Sequence, residues 1–345
     1  MSTAQAEAIH DRYRKGFVGR SRATRDLAQL DSIIADTESL LGGSLESSLR
    51  NKVQERLDLY RGERTEIAAI QAGGPAALVG WRAAEWSELL YGQYRRHFAG
   101  QNRTTRDLGL LGELVSDERG NLAAIPESAD GRLAQRRATI KANLGMYEAE
   151  LVEIPKARNL MAPTDQARLL ATLANEQFEL WRRYFQGRMR MTRRPALLKR
   201  MVDTLDAIRG RMEALRDMGV RNDAHLSNIG KVAERASHFR SELAQIEAAR
   251  AQAPGLDLSR RLGDDANAIF KAYREEFSGK SRAAADLSRL STLCDDLHEV
   301  ARTMRLLDDE RPIDQNAQNL TIVLDHLKMM EREFVSISDA KKAKR

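Results

Sequence analysis

Residues 94–111 read YRRHFAGQNRTTRDLGLL, and this stretch has three relatives in the same chain. Residues 13–30 (YRKGFVGRSRATRDLAQL), 181–198 (WRRYFQGRMRMTRRPALL) and 273–290 (YREEFSGKSRAAADLSRL) share one pattern. An aromatic residue is followed by arginine, then by Phe, Gly and a second Arg at fixed spacing, and finally by an apolar residue. The aromatics are Tyr13, Tyr94, Trp181 and Tyr273, the phenylalanines Phe17, Phe98, Phe185 and Phe277, and the glycines Gly19, Gly100, Gly187 and Gly279. The second arginine falls at Arg22, Arg103, Arg190 and Arg282, and the closing apolar residue at Leu30, Leu111, Leu198 and Leu290. A period of this length marks a repeated supersecondary unit, and every other residue is then read against it.

A second pattern recurs further along each unit, with steps of four, three and three residues. It comprises Val53, Leu57, Tyr60 and Glu63; Ile140, Leu144, Tyr147 and Glu150; Val232, Ala236, Phe239 and Glu242; and Val323, Leu327, Met330 and Glu333. Such steps put each set on one helical face. Glycines and prolines separate the patterns, at Gly42 and Gly43, at Pro126 between Gly120 and Gly131, at Gly219 and at Pro312. Each unit therefore divides into helices A, B and C. Glycines or prolines near 73–75, 163 and 254–255 bound the units, which gives 1–72, 78–160, 164–252 and 256–338, followed by a basic tail at 339–345. The expected fold is all-α: four tandem three-helix repeats, about twelve helices, forming an elongated helical array. At the A–B corner the glycine suits a left-handed position just past a helix end. Ser21, Asn102 and Ser281 are the expected N-caps of helix B, and Thr192 with Pro195 put the start of that helix about one turn later in the third copy.

Composition agrees with helices. Charged residues make up 31% of the 345 residues, and there are only seven prolines. Cys294 is the sole cysteine, which excludes an intramolecular disulfide. The N-terminus carries no charged segment followed by an apolar run, and no stretch approaches the roughly 18 apolar residues that a membrane span requires. A reducing, cytoplasmic location is the resulting expectation.

Aromatics interleaved with arginine can form a stacking platform for single-stranded nucleic acid. Here 14 of the 18 Phe, Tyr and Trp residues fall in four repeat columns at helical spacing, which favours core packing. The arginines are less easily assigned. Windows 12–25, 94–106, 181–194 and 273–285 carry net charges of +6, +4, +6 and +1, which sum to +17, so with a net charge of +6 the remainder carries −11. Placing that charge near a helix N-terminus opposes the helix dipole, so an anion is expected there. One source is internal: Glu63, Glu150, Glu242 and Glu333 clamp the recurring Arg22, Arg103, Arg190 and Arg282. The neighbouring Arg20, Arg25, Arg96, Arg106, Arg183, Arg188 and Arg193 outnumber the glutamates and are candidates for an outside anion.

Signals of catalysis are weak. Gly-Lys-Ser at 279–281 lacks the first glycine and the preceding strand of a P-loop. Cys294 and His298 share a helical face, but nothing supplies the further ligands of a structural zinc site, and Cys294 reads as a half-buried residue of helix B. No metal, cofactor or catalytic residue is expected. Two functional expectations follow: a non-enzymatic scaffold that binds protein partners or assembles with itself, or a protein that binds a polyanion (nucleic acid, polyphosphate or an anionic membrane surface) through its arginine-rich corners.

Overall fold

The computed structural model describes residues 3–17, 20, 24–127, 129, 131–277 and 285–342, with the side chains of 75 and 76 excepted. Among them the fold is all-helical. In chain order the helices are α1 (Thr3–Phe17), α2 (Leu27–Gly42), α3 (Ser47–His97), α4 (Leu108–Ala124), α5 (Gly131–Asn159), α6 (Pro163–Tyr184), α7 (Pro195–Asp217), α8 (Asp223–Gln252), α9 (Gly255–Glu276), α10 (Leu287–Glu310) and α11 (Asp314–Lys342). Short 3₁₀ turns lie at Arg103–Thr105 and Arg190–Thr192. Gly74 takes φ 66° and ψ −156° inside α3 and bends it into two arms. Only glycine adopts that backbone without strain. The helix stop expected near 73–75 is thus a kink, whereas Pro163 occupies the first position of α6 and Pro254 stands just before α9.

Most of the repeated aromatics pack into cores, although Phe178, Trp181 and Phe270 are only partly buried and Tyr91 is 40% exposed. Phe17, Phe98 and Phe185 have no exposed surface and Phe277 is buried beside them in sequence register. Tyr13 packs on Tyr60 with ring centroids 4.6 Å apart, Tyr94 on Tyr147 at 4.8 Å and Trp181 on Phe239 at 5.8 Å, each contact joining a helix A position to the helix C face. Such pairs add roughly 0.5–1.5 kcal/mol beyond their burial.

Helix B begins differently from expectation. Its start is at the same register in every copy, at Leu27, Leu108, Pro195 and Leu287. Asp26, Asp107 and Asp286 cap it by accepting from the backbone N–H groups two and three residues on. Asn102 instead caps the 3₁₀ turn, through Thr104 N, and Ser21 and Ser281 lie outside the described residues. An aspartate in extended backbone directly before the apolar run satisfies the orphan donors of the helix, so the serine or asparagine five residues earlier is left to the corner. The third copy has Arg194 at the capping position, with no side-chain cap, and Pro195 removes one donor that would need one. Gly100 and Gly187 take φ 73° and 74° at their corners, as a left-handed position requires.

The long-range packing departs from an elongated array. The first arm of α3 shares a small core with α1 and α2 (Tyr13, Phe17, Leu30, Ile33, Tyr60, Ile67), and α6–α8 enclose another. The second arm of α3, α4 and α5 share a single core with α9, α10 and α11, from Trp86 and Phe98 to Leu297 and Met330. In a linear array each unit touches only its neighbours. Here residues far apart in sequence meet: Lys328 pairs with Glu85, Arg96 with Glu331 and Arg302 with Asp117. The chain folds back where α10 meets the second arm of α3: Trp86 packs on His298 with ring centroids 5.7 Å apart, and Arg302 and Arg305 lie over its ring, so surface that a terminal unit of a linear array would leave in water is covered. Its accessible surface of 17,431 Å² still exceeds the roughly 14,000 Å² of a compact monomer of this mass, as deep clefts between helix groups require.

Candidate functional site: the arginine corners and the clefts beside them

The corner after each helix A leaves Gly, passes through a 3₁₀ turn where one is formed, and reaches an arginine in extended backbone just before helix B, as at Arg106 (φ −64°, ψ 140°) and Arg193 (φ −78°, ψ 142°). That arginine turns toward helix C. Nη1 of Arg25 donates to Glu63, that of Arg106 to Glu150 and that of Arg193 to Glu242. A second guanidinium nitrogen binds the carbonyl five residues back: Arg25 to Arg20 at 2.9 Å, Arg106 to Gln101 at 3.0 Å, Arg193 to Arg188 at 3.0 Å. The aromatic of helix A completes two of these sites, since Tyr13 Oη and Trp181 Nε1 donate to the other carboxylate oxygen. Arg25 is 3% exposed. In the fourth copy Ala285 stands at this position, and Lys341 Nζ donates to its carbonyl at 2.7 Å.

The pairing therefore differs in part from the one expected. Arg25, Arg106 and Arg193 were candidates for an outside anion, yet they hold the helix C glutamates. Of the arginines expected to do so, Arg103 shares Glu150 at 2.9 Å, whereas Arg190 is exposed with no side-chain partner among the described residues. Arg22 and Arg282 lie outside those residues, and Glu333 lines a cleft. The physical reason is position: Arg190 rides on the solvent side of its 3₁₀ turn, and the residue three later ends the turn facing helix C. Arg96 and Arg183 are also occupied. Arg96 bridges Glu331 and Asp295, the latter at 2.7 Å, and Arg183 binds Asp296 at 2.8 Å. Arg20 is exposed, and Arg188 lies near Asp265.

A buried ionic network that the repeat pattern did not reveal joins the helix groups. Arg194, 6% exposed, grips both oxygens of Glu299 at 2.7 and 2.8 Å and also reaches Glu113. Glu113 further accepts from Arg200, and Arg302 binds Asp117 at 3.0 Å and Gln93 at 2.9 Å. Burial works to raise the Glu113 carboxyl, but the guanidinium groups of Arg194, Arg200 and Arg302 hold it below the ordinary carboxylate range. His298 donates from Nε2 to Glu331 at 3.1 Å, and burial drives its pKa well below the usual histidine value. One trace was legible beforehand: the third copy breaks the capping aspartate column with Arg194.

Cys294 is fully buried rather than half-buried, and burial pushes its thiol up to about 12. Among the described residues no group of three or more His, Cys, Asp or Glu side chains is arranged to hold a metal, and no helix is long and apolar enough to cross a membrane. Three clefts separate the helix groups. One of 1020 Å³ lies between α1 and α3 on one side and α9 and α11 on the other. One of 630 Å³ lies over the ionic network, and one of 730 Å³ between α4, the end of α5, α6 and α7.

No protein-family model, curated protein or solved structure matches this chain.

Proposed function

We propose that the chain is a non-enzymatic helical scaffold of four three-helix units, over 1–72, 78–160, 164–252 and 256–338, that presents its surfaces to partner proteins or to further copies of itself in the cytoplasm. The observation that carries this reading is the use of Arg25, Arg106 and Arg193: the residues best suited to chemistry or anion capture are spent on fastening a corner to a third helix. The same fastening in successive units is what a scaffold needs, since it rigidifies each unit without committing the outer surface. Polyanion binding is narrowed by the same pairs. It keeps Arg20, Arg188 and the exposed Arg190, a sparse set for a backbone-tracking strip.

The test is light scattering behind size-exclusion chromatography over a hundredfold concentration range, combined with crosslinking in native lysate. Concentration-dependent assembly or a stoichiometric protein partner is the expected result. A strict monomer that crosslinks to nothing overturns the proposal. Binding to polyphosphate that weakens steeply with salt and is lost in an Arg20, Arg188 and Arg190 triple alanine variant would favour the polyanion reading instead.

A further inference from the structure

We propose that the 730 Å³ cleft between α4, α6 and α7 binds a small amphipathic carboxylate, its apolar body among Leu170, Leu173 and Ile208 and its carboxylate at Arg211. The volume lies within the range of about 300–1,000 Å³ typical of small-molecule sites. Space is left by absent side chains on α4. A Cβ built on Gly112 meets nothing within 4 Å, although this glycine sits inside a helix, where alanine is the better helix former.

Charge selects the ligand. Every carboxylate in the lining already has its counterpart: Asp107 caps α4 through Gly109 N at 2.7 Å, Glu113 holds Arg194 and Arg200, and Asp203 pairs with Lys199 at 2.8 Å. Two lining guanidiniums have no carboxylate within ion-pair distance among the described residues. Arg211 donates only to the amide oxygen of Gln166, at 2.7 and 3.2 Å, and Arg158 only to the carbonyls of Thr104 and Arg106, at 2.8 and 2.6 Å. A surplus of fixed positive charge beside an apolar floor recognises an anion that carries an apolar body.

A second observation points to a ligand. Gln177 lines the cleft at 3% exposure, and its amide makes no hydrogen bond among the described residues. The amide keeps its small exposure toward the cleft, where an oxygen of a bound ligand can take the place of water. The site belongs to the junction between the second and third units and stands whether or not the chain assembles with partners.

The experiment is isothermal titration calorimetry of the full chain with decanoate, 1-decanol and acetate. Decanoate should bind saturably at one site, decanol at least tenfold more weakly, and acetate not at all. Gly112→Leu, which fills the open space, should abolish decanoate binding while far-UV circular dichroism and Tm are preserved. Arg211→Gln should reduce decanoate binding to the level of decanol and leave decanol unchanged, a split that general destabilisation does not produce. The proposal is overturned by no saturable decanoate binding, by equal affinity for decanol, or by full affinity in a folded Gly112→Leu protein.

Discussion

Glu242 accepts from both Arg193 and Trp181, two donors that have left water to reach it. Removing the acceptor strands a half-buried guanidinium and an indole N–H, so Glu242→Ala is expected to lower unfolding free energy by about 3 kcal/mol in urea titrations. Arg190→Ala, at an exposed and unpaired position, should change it by less than about 0.5 kcal/mol. Equal effects would mean that the pairing at this corner is wrong. The repeated phenylalanine works by volume rather than charge: Phe98→Ala should cost about 3–5 kcal/mol because the site is sealed on all sides. Cys294 should resist aromatic disulfide reagents at pH 8 until the protein unfolds, because its thiol is buried and its pKa is pushed up to about 12.

Among the elements, the A–B corner is where local chemistry is most exacting. Gly187 sits at φ 74°, so Gly187→Ala should destabilise by about 1 kcal/mol or more, whereas Gly210→Ala, in the middle of α7 with open space around it, should stabilise by about 0.5–1 kcal/mol. Thermal unfolding of the two variants reads the difference in sign. Asp107→Ala should cost about 1 kcal/mol, since this side chain alone caps α4. The helices themselves, the glycine corner and the aromatic columns were legible in sequence, because steps of three and four residues and a glycine past a helix end are local properties. Arg103 reaches Glu150 as the recurring column implies, but the pair seen at three corners is made by the arginine three residues later. That choice depends on how the 3₁₀ turn presents successive side chains, and the column of Arg22, Arg103, Arg190 and Arg282 does not point to it, since the later position has alanine in the fourth copy.

At the scale of the whole molecule, buried histidines link stability to pH. Burial lowers His10 and His326 to about 4 and His298 well below its usual value. Each folded-state pKa is below the unfolded one, so the unfolded chain binds more protons between the two. The stability these groups contribute is complete above about pH 6.5 and is lost as pH falls, with a slope of at most about 1.4 kcal/mol per pH unit for each. Glu118, raised by burial, acts in the opposite sense and offsets part of the loss. The urea midpoint should therefore fall from pH 7.5 to pH 5, and His326→Gln should flatten the decline. A midpoint that stays level in the parent protein would show that these rings are accessible to protons in the folded state.

By itself the sequence determined that the chain is helical, where its corners fall and that most of the repeated aromatics enter the cores, since periodicity and turn chemistry act over a few residues. Only the tertiary structure decided that the last three helices return to pack on the second arm of α3, that Arg194, Glu113 and Arg302 meet in one buried network, and that Arg211 and Gln177 are left facing a cleft. Those relations join residues from different helix groups. Whether a charge finds its partner there depends on which faces dock, a competition between apolar surfaces of the whole chain that no local pattern records.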